Sequence, residues 1–248
     1  MKKFTKVCLI IAAVLAVLGI SLSIAGAVSG ATLEQFQDMV YWDDGDHTFV
    51  TRDGKKNDFE KSYRDIDSLY LDLGNTEMVV KAAEGDEFKV YAQNIGSSFL
   101  CEDENGTLRI ENEYYRKGLF RRDKTAYVTL EVPKGTVFKS ADIEVGVGSL
   151  EAYDFLCEDV VIECGVGRTY ISGQIQGNCN IECGIGEVSL VLTNQEEDFD
   201  YEVECGIGEV RIGGSSYSGL SRTQEIDNDA DREMDINCGI GKVEVTFE

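Results

Sequence analysis

Five copies of a Gly-x-Gly motif are the residues of this sequence that most resemble a phosphate-binding loop. The copies span residues 143–152, 162–171, 181–190, 203–212 and 236–245. A dinucleotide site needs a third glycine three residues after the second, and a helix that begins in the loop. The third position is instead occupied by Glu151, Tyr170, Ser189, Arg211 and Glu244, and no helical pattern follows. We therefore interpret the repeated glycines as structural.

Cysteine is the second residue type here that could do chemistry, as a metal ligand or in disulfides. Four of the eight cysteines occupy one position of successive copies: Cys164, Cys183, Cys205 and Cys238. There is no Cys-x-x-Cys pair, and a straight row of thiols does not enclose zinc tetrahedrally. Alternation along a strand turns these side chains inward. We predict that the four cysteines form a structural ladder of buried free thiols. In this ladder they follow Val145 and stack in the order of the sequence. Disulfides between neighbouring copies are the alternative.

Acidic side chains next to the glycines raise the question of a calcium site. We expect Glu144, Glu163, Glu182 and Glu204 to form an outward row with a spacing of about 4.8 Å, in which like charges repel. No copy contains the Gly-Gly-x-Gly-x-Asp pattern of calcium-binding β-rolls. The loop 227–233 begins like an EF-hand, but Arg232 replaces its glycine. We predict relief of the repulsion by basic neighbours or water, and no metal or other cofactor.

A catalytic arrangement is not indicated. The single histidine, His47, precedes the repeats in a polar stretch, so a Ser-His-Asp or Cys-His arrangement has no base in the repeat region. Acidic residues are numerous enough for a glycosidase pair, but nothing singles out two of them. We predict that the protein is not an enzyme, with action on a polysaccharide as an open alternative.

One basic segment stands out in an acidic chain. Its members, within residues 114–124, are Arg116, Lys117, Arg121, Arg122 and Lys124. Tyr114, Tyr115 and Phe120 lie among them. The segment joins two alternating stretches, so it is either a solvated hairpin tip or a contact for an anionic wall polymer or lipid headgroups.

The composition and the N-terminus locate the protein. The 248 residues carry a formal net charge of −23, which disfavours nucleic acid as a partner. Residues 7–28 contain no charge and follow Lys2, Lys3 and Lys6. As a helix this run would span about 33 Å, enough to cross a bilayer. The lysines predict that residues 1–6 lie in the cytoplasm and that the chain after residue 28 is extracellular.

A cleaved signal peptide is the alternative to this single-pass membrane anchor, with cleavage at Ala25-Gly26-Ala27. The apolar run is longer than a signal peptide requires, so we favour the anchor. A juxtamembrane helix and a polar tether would follow over residues 29–64. Thr32 is a candidate N-cap for that helix, with Gln35 three residues later.

From residue 65 onward the pattern alternates between apolar and polar residues, which predicts an all-β fold. Residues 65–135 are expected to cap the repeats of 136–248. Motif starts lie 19, 19, 22 and 33 residues apart, a spacing typical of a β-solenoid with coils of about 20 residues. Within a copy we expect Ile181, Cys183 and Ile185 to point inward. We expect the second glycine of each copy to turn the chain: Gly148, Gly167, Gly186, Gly208 and Gly241.

The chain resembles bacterial, Firmicute-type β-strand-repeat proteins of unknown function that carry the name “putative adhesins”. The resemblance covers residues 66–248 and depends on the strand Leu69 to Gly74, the Val-Pro-Lys-Gly turn at 132–135 and the recurring strand–Gly–strand units. It implies a β-solenoid at the cell envelope, and many members also have an N-terminal membrane helix. The cysteine ladder departs from the family pattern, which has polar or β-branched residues there.

These observations predict an acidic, membrane-anchored, extracytoplasmic scaffold or adhesin-like binding module. Its expected partners are an envelope polymer or a membrane protein. An accessory of an envelope-stress sensor is the alternative function. We also expect an open strand edge at the final coil, which ends at Phe247 and Glu248, where a second copy could pair.

Overall fold

The strand pattern expected from residue 65 onward is confirmed: among the residues that the structure describes, the fold is all-β apart from one turn of 3₁₀-helix at Glu196–Asp198. The computed structural model describes residues 59–96, 98–112, 125–218 and 223–248, which belong to one compact unit, Lys55–Glu248. No helix in these ranges is long and apolar enough to cross a membrane. The predicted membrane segment 7–28, the juxtamembrane helix and most of the tether lie outside the described residues.

The strands alternate between buried and exposed positions along most of their length. They are β1 (Phe59–Tyr63), β2 (Ser68–Leu73), β3 (Thr76–Ala83), β4 (Phe88–Gln93), β5 (Phe99–Glu104), β6 (Thr107–Asn112), β7 (Ala126–Pro133), β8 (Val137–Val145), β9 (Ser149–Cys164), β10 (Arg168–Ile175), β11 (Cys179–Cys183), β12 (Glu187–Leu192), β13 (Asp200–Cys205), β14 (Glu209–Ile212), β15 (Ser215–Ser218), β16 (Gln224–Ile226), β17 (Glu233–Cys238) and β18 (Lys242–Phe247).

Two rows of parallel, in-register strands make up the centre of the fold. Row A contains, in spatial order, β6, β2, β8, the second half of β9, β11, β17 and β13. Row B contains β7, β3, the first half of β9, β10, β12, β18 and β14. A row A strand, the corner after it and the next row B strand form what we call a layer. The long strand β9 serves two layers, because it bends near Asp154, whose φ is 54°.

The layers do not stack in sequence order. Ile236 of the last motif copy pairs with Ile181 on one side and with Val203 on the other. The last copy therefore lies between the third and the fourth, and the predicted order of the ladder is wrong. The interval of 33 residues before the last copy gives the chain enough length to return past β13, whereas the intervals of 19 residues join neighbouring layers directly. At the other end, the β2–β3 layer likewise lies between the β6–β7 and β8–β9 layers.

Antiparallel strands cover both ends of the stack. At one end β5 pairs with β6 and β4 pairs with β7. At the other end β16 pairs with β13 and β15 pairs with β14. The final strand β18 is enclosed between β12 and β14. The last motif copy is therefore an interior layer of the stack and not its end. The register with β14 ends at Ile212 and Val245, so the open edge expected at Phe247 and Glu248 stays a prediction.

The core lies between the two rows. Its regularity comes from registers that place like residues on like residues. One column of row A consists of Ile110, Leu71, Ile143, Ile162, Ile181, Ile236 and Val203, all buried. Leu71 aligns with Ile143, so residues 69–80 are an additional copy of the repeat. The glycine corners, where the copies are most alike, connect row A to row B.

Candidate binding surface at the glycine corners

The Gly-x-Gly segments form the corners between the rows, and they stack on one another as regularly as the strands do. The amide of Val166 donates a hydrogen bond to the carbonyl of Gly146 (2.9 Å), and the amide of Ile185 donates to Gly165 (2.8 Å). The amides of Ile240 and Ile207 continue this ladder with bonds of 2.8 Å each. Hydrogen bonding between layers thus passes through the corner without interruption.

Close backbone approach explains the second glycine of each corner. A Cβ on Gly167 would lie 2.5 Å from the carbonyl oxygen of Gly148, and a Cβ on Gly186 would lie 2.6 Å from Sγ of Cys164. Real Cβ atoms essentially never come closer than 3.0 Å to such atoms. None of these corner glycines has φ in the left-handed region. Glycine is therefore required because the preceding layer leaves no room for a Cβ, and not because of the backbone conformation.

The middle residues of the corners form an exposed apolar ridge. In spatial order they are Val147, Val166, Ile185, Ile240 and Ile207, and their exposure lies between 52% and 73%. Among the residues that the structure describes, they are the five most exposed large hydrophobic side chains. The expectation that Ile185 points inward is wrong, because the chain turns at Gly184 and carries the next side chain to the outside of the corner. We call these five residues the corner ridge.

The four ladder cysteines lie beneath the corners. Their spatial order is Cys164, Cys183, Cys238 and Cys205, with Val145 before them. The thiol of Cys164 donates to the carbonyl of Glu187 at 3.8 Å, and that of Cys183 donates to Lys242 at 3.8 Å. Each of these carbonyls directly follows the corner of the next layer. A small side chain with a weak donor therefore fits under a glycine and contacts the carbonyl beyond it.

All seven described cysteines carry free thiols. Burial raises the pKa of Cys157 to about 12 and that of Cys179 to about 12. Contact between two ladder thiols separates their pKa values, because the hydrogen bond between them raises the pKa of Cys183 and lowers that of Cys164. The buried ladder thiols themselves are at most 6% exposed, so reagents in solvent do not reach them.

A column of carboxylates runs beside the corner ridge on the outer face of row A. Its members, in spatial order, are Asp72, Glu144, Glu163, Glu182 and Glu204, with Asn237 between the last two. We call these five acidic residues the carboxylate column. Burial, and the charges of Asp72, Glu163 and Asp142, raise the pKa of Glu144. Within the described ranges Glu144, Glu163 and Glu182 have no ion-pair partner, so the predicted relief by basic neighbours is not seen there.

The opposite flank of the ridge, at the start of the row B strands, is electrically balanced. Arg168 lies 3.3 Å from Glu187, and Lys242 lies 4.0 Å from the same carboxylate. Arg211 pairs with Glu209 at 2.9 Å. The ridge therefore separates an acidic surface from one whose charges are paired.

No metal site is formed by the residues that the structure describes: they contain no group of three or more His, Cys, Asp or Glu side chains placed to hold an ion. An acidic depression of about 250 Å³ lies between β13, β16 and β17, lined by Asp200, Glu202, Glu225, Asp227, Glu233 and Asp235 among others. It belongs to the covered end of the stack and includes part of the loop 227–233 that resembled an EF-hand.

The predicted polymer contact, Arg116, Lys117, Arg121, Arg122 and Lys124, lies outside the described residues. The flanking residues that the structure describes are Asn112, which is in register with Leu73, and Ala126, whose amide donates a hydrogen bond to the carbonyl of Asn75 at 3.1 Å. Strand alternation alone does not reveal the ridge, although a Val or Ile between the two glycines of all five copies is a visible signal in the sequence.

Comparison with known proteins is informative for the fold. No protein-family model and no curated protein matches the sequence. A solved structure described as a “putative cell adhesion protein” from Clostridium sporogenes matches with a TM-score of 0.54 at 15% identity, covering 77% of this chain and 99% of that one. A “putative adhesin” from Bacteroides fragilis matches with a TM-score of 0.33 at 14% identity, covering 75% and 96%.

The fold class is therefore an all-β repeat architecture that this chain shares with the Clostridium sporogenes protein. The resemblance to bacterial adhesin-type proteins that the sequence predicted is confirmed at the level of these structural neighbours.

Proposed function

We propose that this protein is a membrane-anchored, extracytoplasmic binding module of the cell envelope without catalytic activity. The observation that carries this proposal is the outer surface of the stack, where the corner ridge and the carboxylate column repeat the same side chains in successive layers. A repeated surface of this kind offers many equivalent contacts to an elongated partner. The likeness to a protein described as a cell adhesion protein supports the same reading.

On this proposal the stacked layers are coils of a β-solenoid, held outside the membrane by residues 7–28 and the tether 29–64. The uncharged run behind three lysines supports the anchor. The antiparallel strands at both ends of the stack support a self-contained domain, because they occupy edges that would otherwise pair with other chains.

The basic segment is the proposed contact with an anionic envelope polymer. Five basic residues within residues 116–124 contrast with the carboxylates of row A. Electrostatic attraction to phosphate-rich polymer would weaken as salt screens it.

Retention of the full-length chain on envelopes tests the proposal. Wild-type protein, a variant with the five basic residues changed to Gln, and a control with Arg64, Lys81, Lys89, Lys134 and Lys139 changed to Gln are compared on envelopes with and without anionic polymer, across a salt series. The control removes the same charge from other surfaces. We expect only the first variant to lose polymer-dependent, salt-sensitive retention. Equal retention of both variants would remove the polymer assignment, and retention on stripped envelopes would indicate a protein partner instead.

A further inference from the structure

The corner ridge is not required by the fold. The middle residue of each corner has more than half of its surface in solvent. Its amide, not its side chain, makes the hydrogen bond to the next layer. A polar side chain would serve these corners equally well, yet all five positions carry Val or Ile. Contiguous exposed apolar residues of this kind mark an interaction site.

The dimensions of the ridge limit the form of its partner. In-register parallel strands lie about 4.8 Å apart, so five corners extend over about 19 Å. An extended peptide laid along the ridge would repeat its side chains about every 6.6 Å, which does not match that spacing. An α-helix repeats a face every 5.4 Å, so a helix of about 13 residues would place one apolar side chain near each corner.

Charge decides the chemistry of that helix. In four of the five ridge layers a member of the carboxylate column lies three residues before the ridge residue, at most about 10 Å away along the chain. A helix is about 10 Å wide. Lysine or arginine on one flank of a helix seated on the ridge would reach this column. A second copy of this chain fits poorly, because it carries the same net charge of −23.

We propose that the corner ridge and the carboxylate column together form the docking site of a cationic amphipathic helix from another protein or peptide. Apolar side chains of the helix pack along Val147, Val166, Ile185, Ile240 and Ile207. Its basic flank pairs with Glu144, Glu163 and Glu182, which have no ion-pair partner within the described ranges. The inference depends on the proposed function only in treating the chain as a binding module, and it does not involve the anchor or the basic segment.

A defined peptide tests the site directly. The probe is a synthetic peptide of about 15 residues with leucines on one helical face and lysines on one flank. Fluorescence anisotropy measures its binding to the full-length chain in zwitterionic lipid nanodiscs, with empty nanodiscs as the blank. We expect the triple variant Val166→Ser, Ile185→Ser and Ile240→Ser to weaken binding by about tenfold or more. Val137→Ser, a control at an exposed apolar residue outside the ridge, should leave binding within about twofold.

A charge exchange provides the second arm. The variant Glu163→Lys with Glu182→Lys should lose the lysine peptide and gain a peptide in which the lysines are replaced by glutamates. Equal binding of a peptide with the same composition but a scrambled pattern would overturn the proposal, because it would show unspecific attraction to an acidic protein. Equal binding by the ridge variant would overturn it too.

Cross-linking keeps the test decisive if a variant fails to fold. Photoreactive leucines in the peptide should label the corner segments of the wild-type chain. Labelling confined to other surfaces would contradict the docking site. Envelope retention is measured separately, so a failure of the peptide experiment leaves the proposed envelope function standing, and a failure of retention leaves the docking site standing.

Discussion

Glycine and cysteine occupy positions of the repeat that depend on one another. The sulfur of Cys164 lies 2.6 Å from the position that a Cβ on Gly186 would take, and the sulfur of Cys183 lies 2.6 Å from the corresponding position of Gly241. The glycine of one layer thus makes room for the cysteine of the layer below. This packing explains why the two residue types recur together.

Gly186→Ala should destabilise the fold. Its Cβ would meet the carbonyl of Gly167 and Sγ of Cys164, both fixed by hydrogen bonds or packing between layers. We expect a loss of about 1–3 kcal/mol in the free energy of unfolding, measured by urea denaturation. The control is Gly214→Ala, where an added Cβ meets nothing within 4 Å and the change should stay within about 0.5 kcal/mol. Equal losses in both variants would refute the close-approach argument.

Cys183→Val should be tolerated. Val145 already occupies the same column two layers away, with its Cγ1 under Gly167 as the cysteine sulfurs lie under later glycines. We expect a cost below about 1.5 kcal/mol, equal in reducing and oxidising buffer. A cost that appears only under oxidising conditions would show that Cys183 forms a disulfide in solution.

At the scale of the elements, the carboxylate column makes row A sensitive to pH. The pKa of Glu144 is raised in the folded state by burial and by neighbouring acids, so folding favours its protonated form. The stabilisation of the fold by protonated Glu144 is therefore greatest below the ordinary carboxyl pKa, and it is lost as the pH rises through the folded-state pKa of Glu144. The column is a source of repulsion at neutral pH.

Glu144→Gln should accordingly raise the melting temperature at pH 7 and have little effect at pH 4. Removing one like-charge contact across strands is worth about 0.2–1 kcal/mol at low salt, and added salt should reduce the gain. Differential scanning calorimetry at the two pH values measures it. Glu84→Gln is the control, because Glu84 is exposed and paired with Lys134 at 2.6 Å, and it should not stabilise the protein at pH 7.

Much of the element structure was predictable from the sequence, since alternation in stretches such as residues 69–73 reports directly which side chains are buried. The orientation of Ile185 was not, because alternation fails where a chain turns between two sheets. The order of the layers was not either. The spacing between copies says how much chain is available, but it does not say on which side of β13 the last copy returns.

At the scale of the whole molecule, covered ends keep the stack finite. Row B ends with β14, and only β15 separates that strand from solvent. Parallel rows with open edges would add further chains. The antiparallel strands therefore limit the growth of the stack. The sequence predicted such a cap only within residues 65–135, whereas the insertion after residue 212 covers the other end.

Opening one end should cause self-association. Replacing Ser215 and Tyr217 by proline would remove the β15 amides that face β14, because these residues pair with Ile212 and Val210 and proline cannot donate a backbone hydrogen bond. We expect concentration-dependent oligomers in sedimentation velocity, whereas Ser215→Ala with Tyr217→Phe should behave as the wild type. A proline variant that stays as monomeric as its control would show that β15 does not protect this edge.

The corner ridge, the carboxylate column and the thiol ladder all depend on one order of layers, with the last motif copy between the third and the fourth. Cross-linking of engineered cysteines on the half-exposed face of row B tests that order most directly. Ser189→Cys with Glu244→Cys joins strands that are neighbours in the structure, and Ser189→Cys with Arg211→Cys joins strands separated by β18. A short bifunctional thiosulfonate should bridge the first pair and not the second. Bridging of the second pair alone would mean that the copies stack in sequence order and would contradict the account.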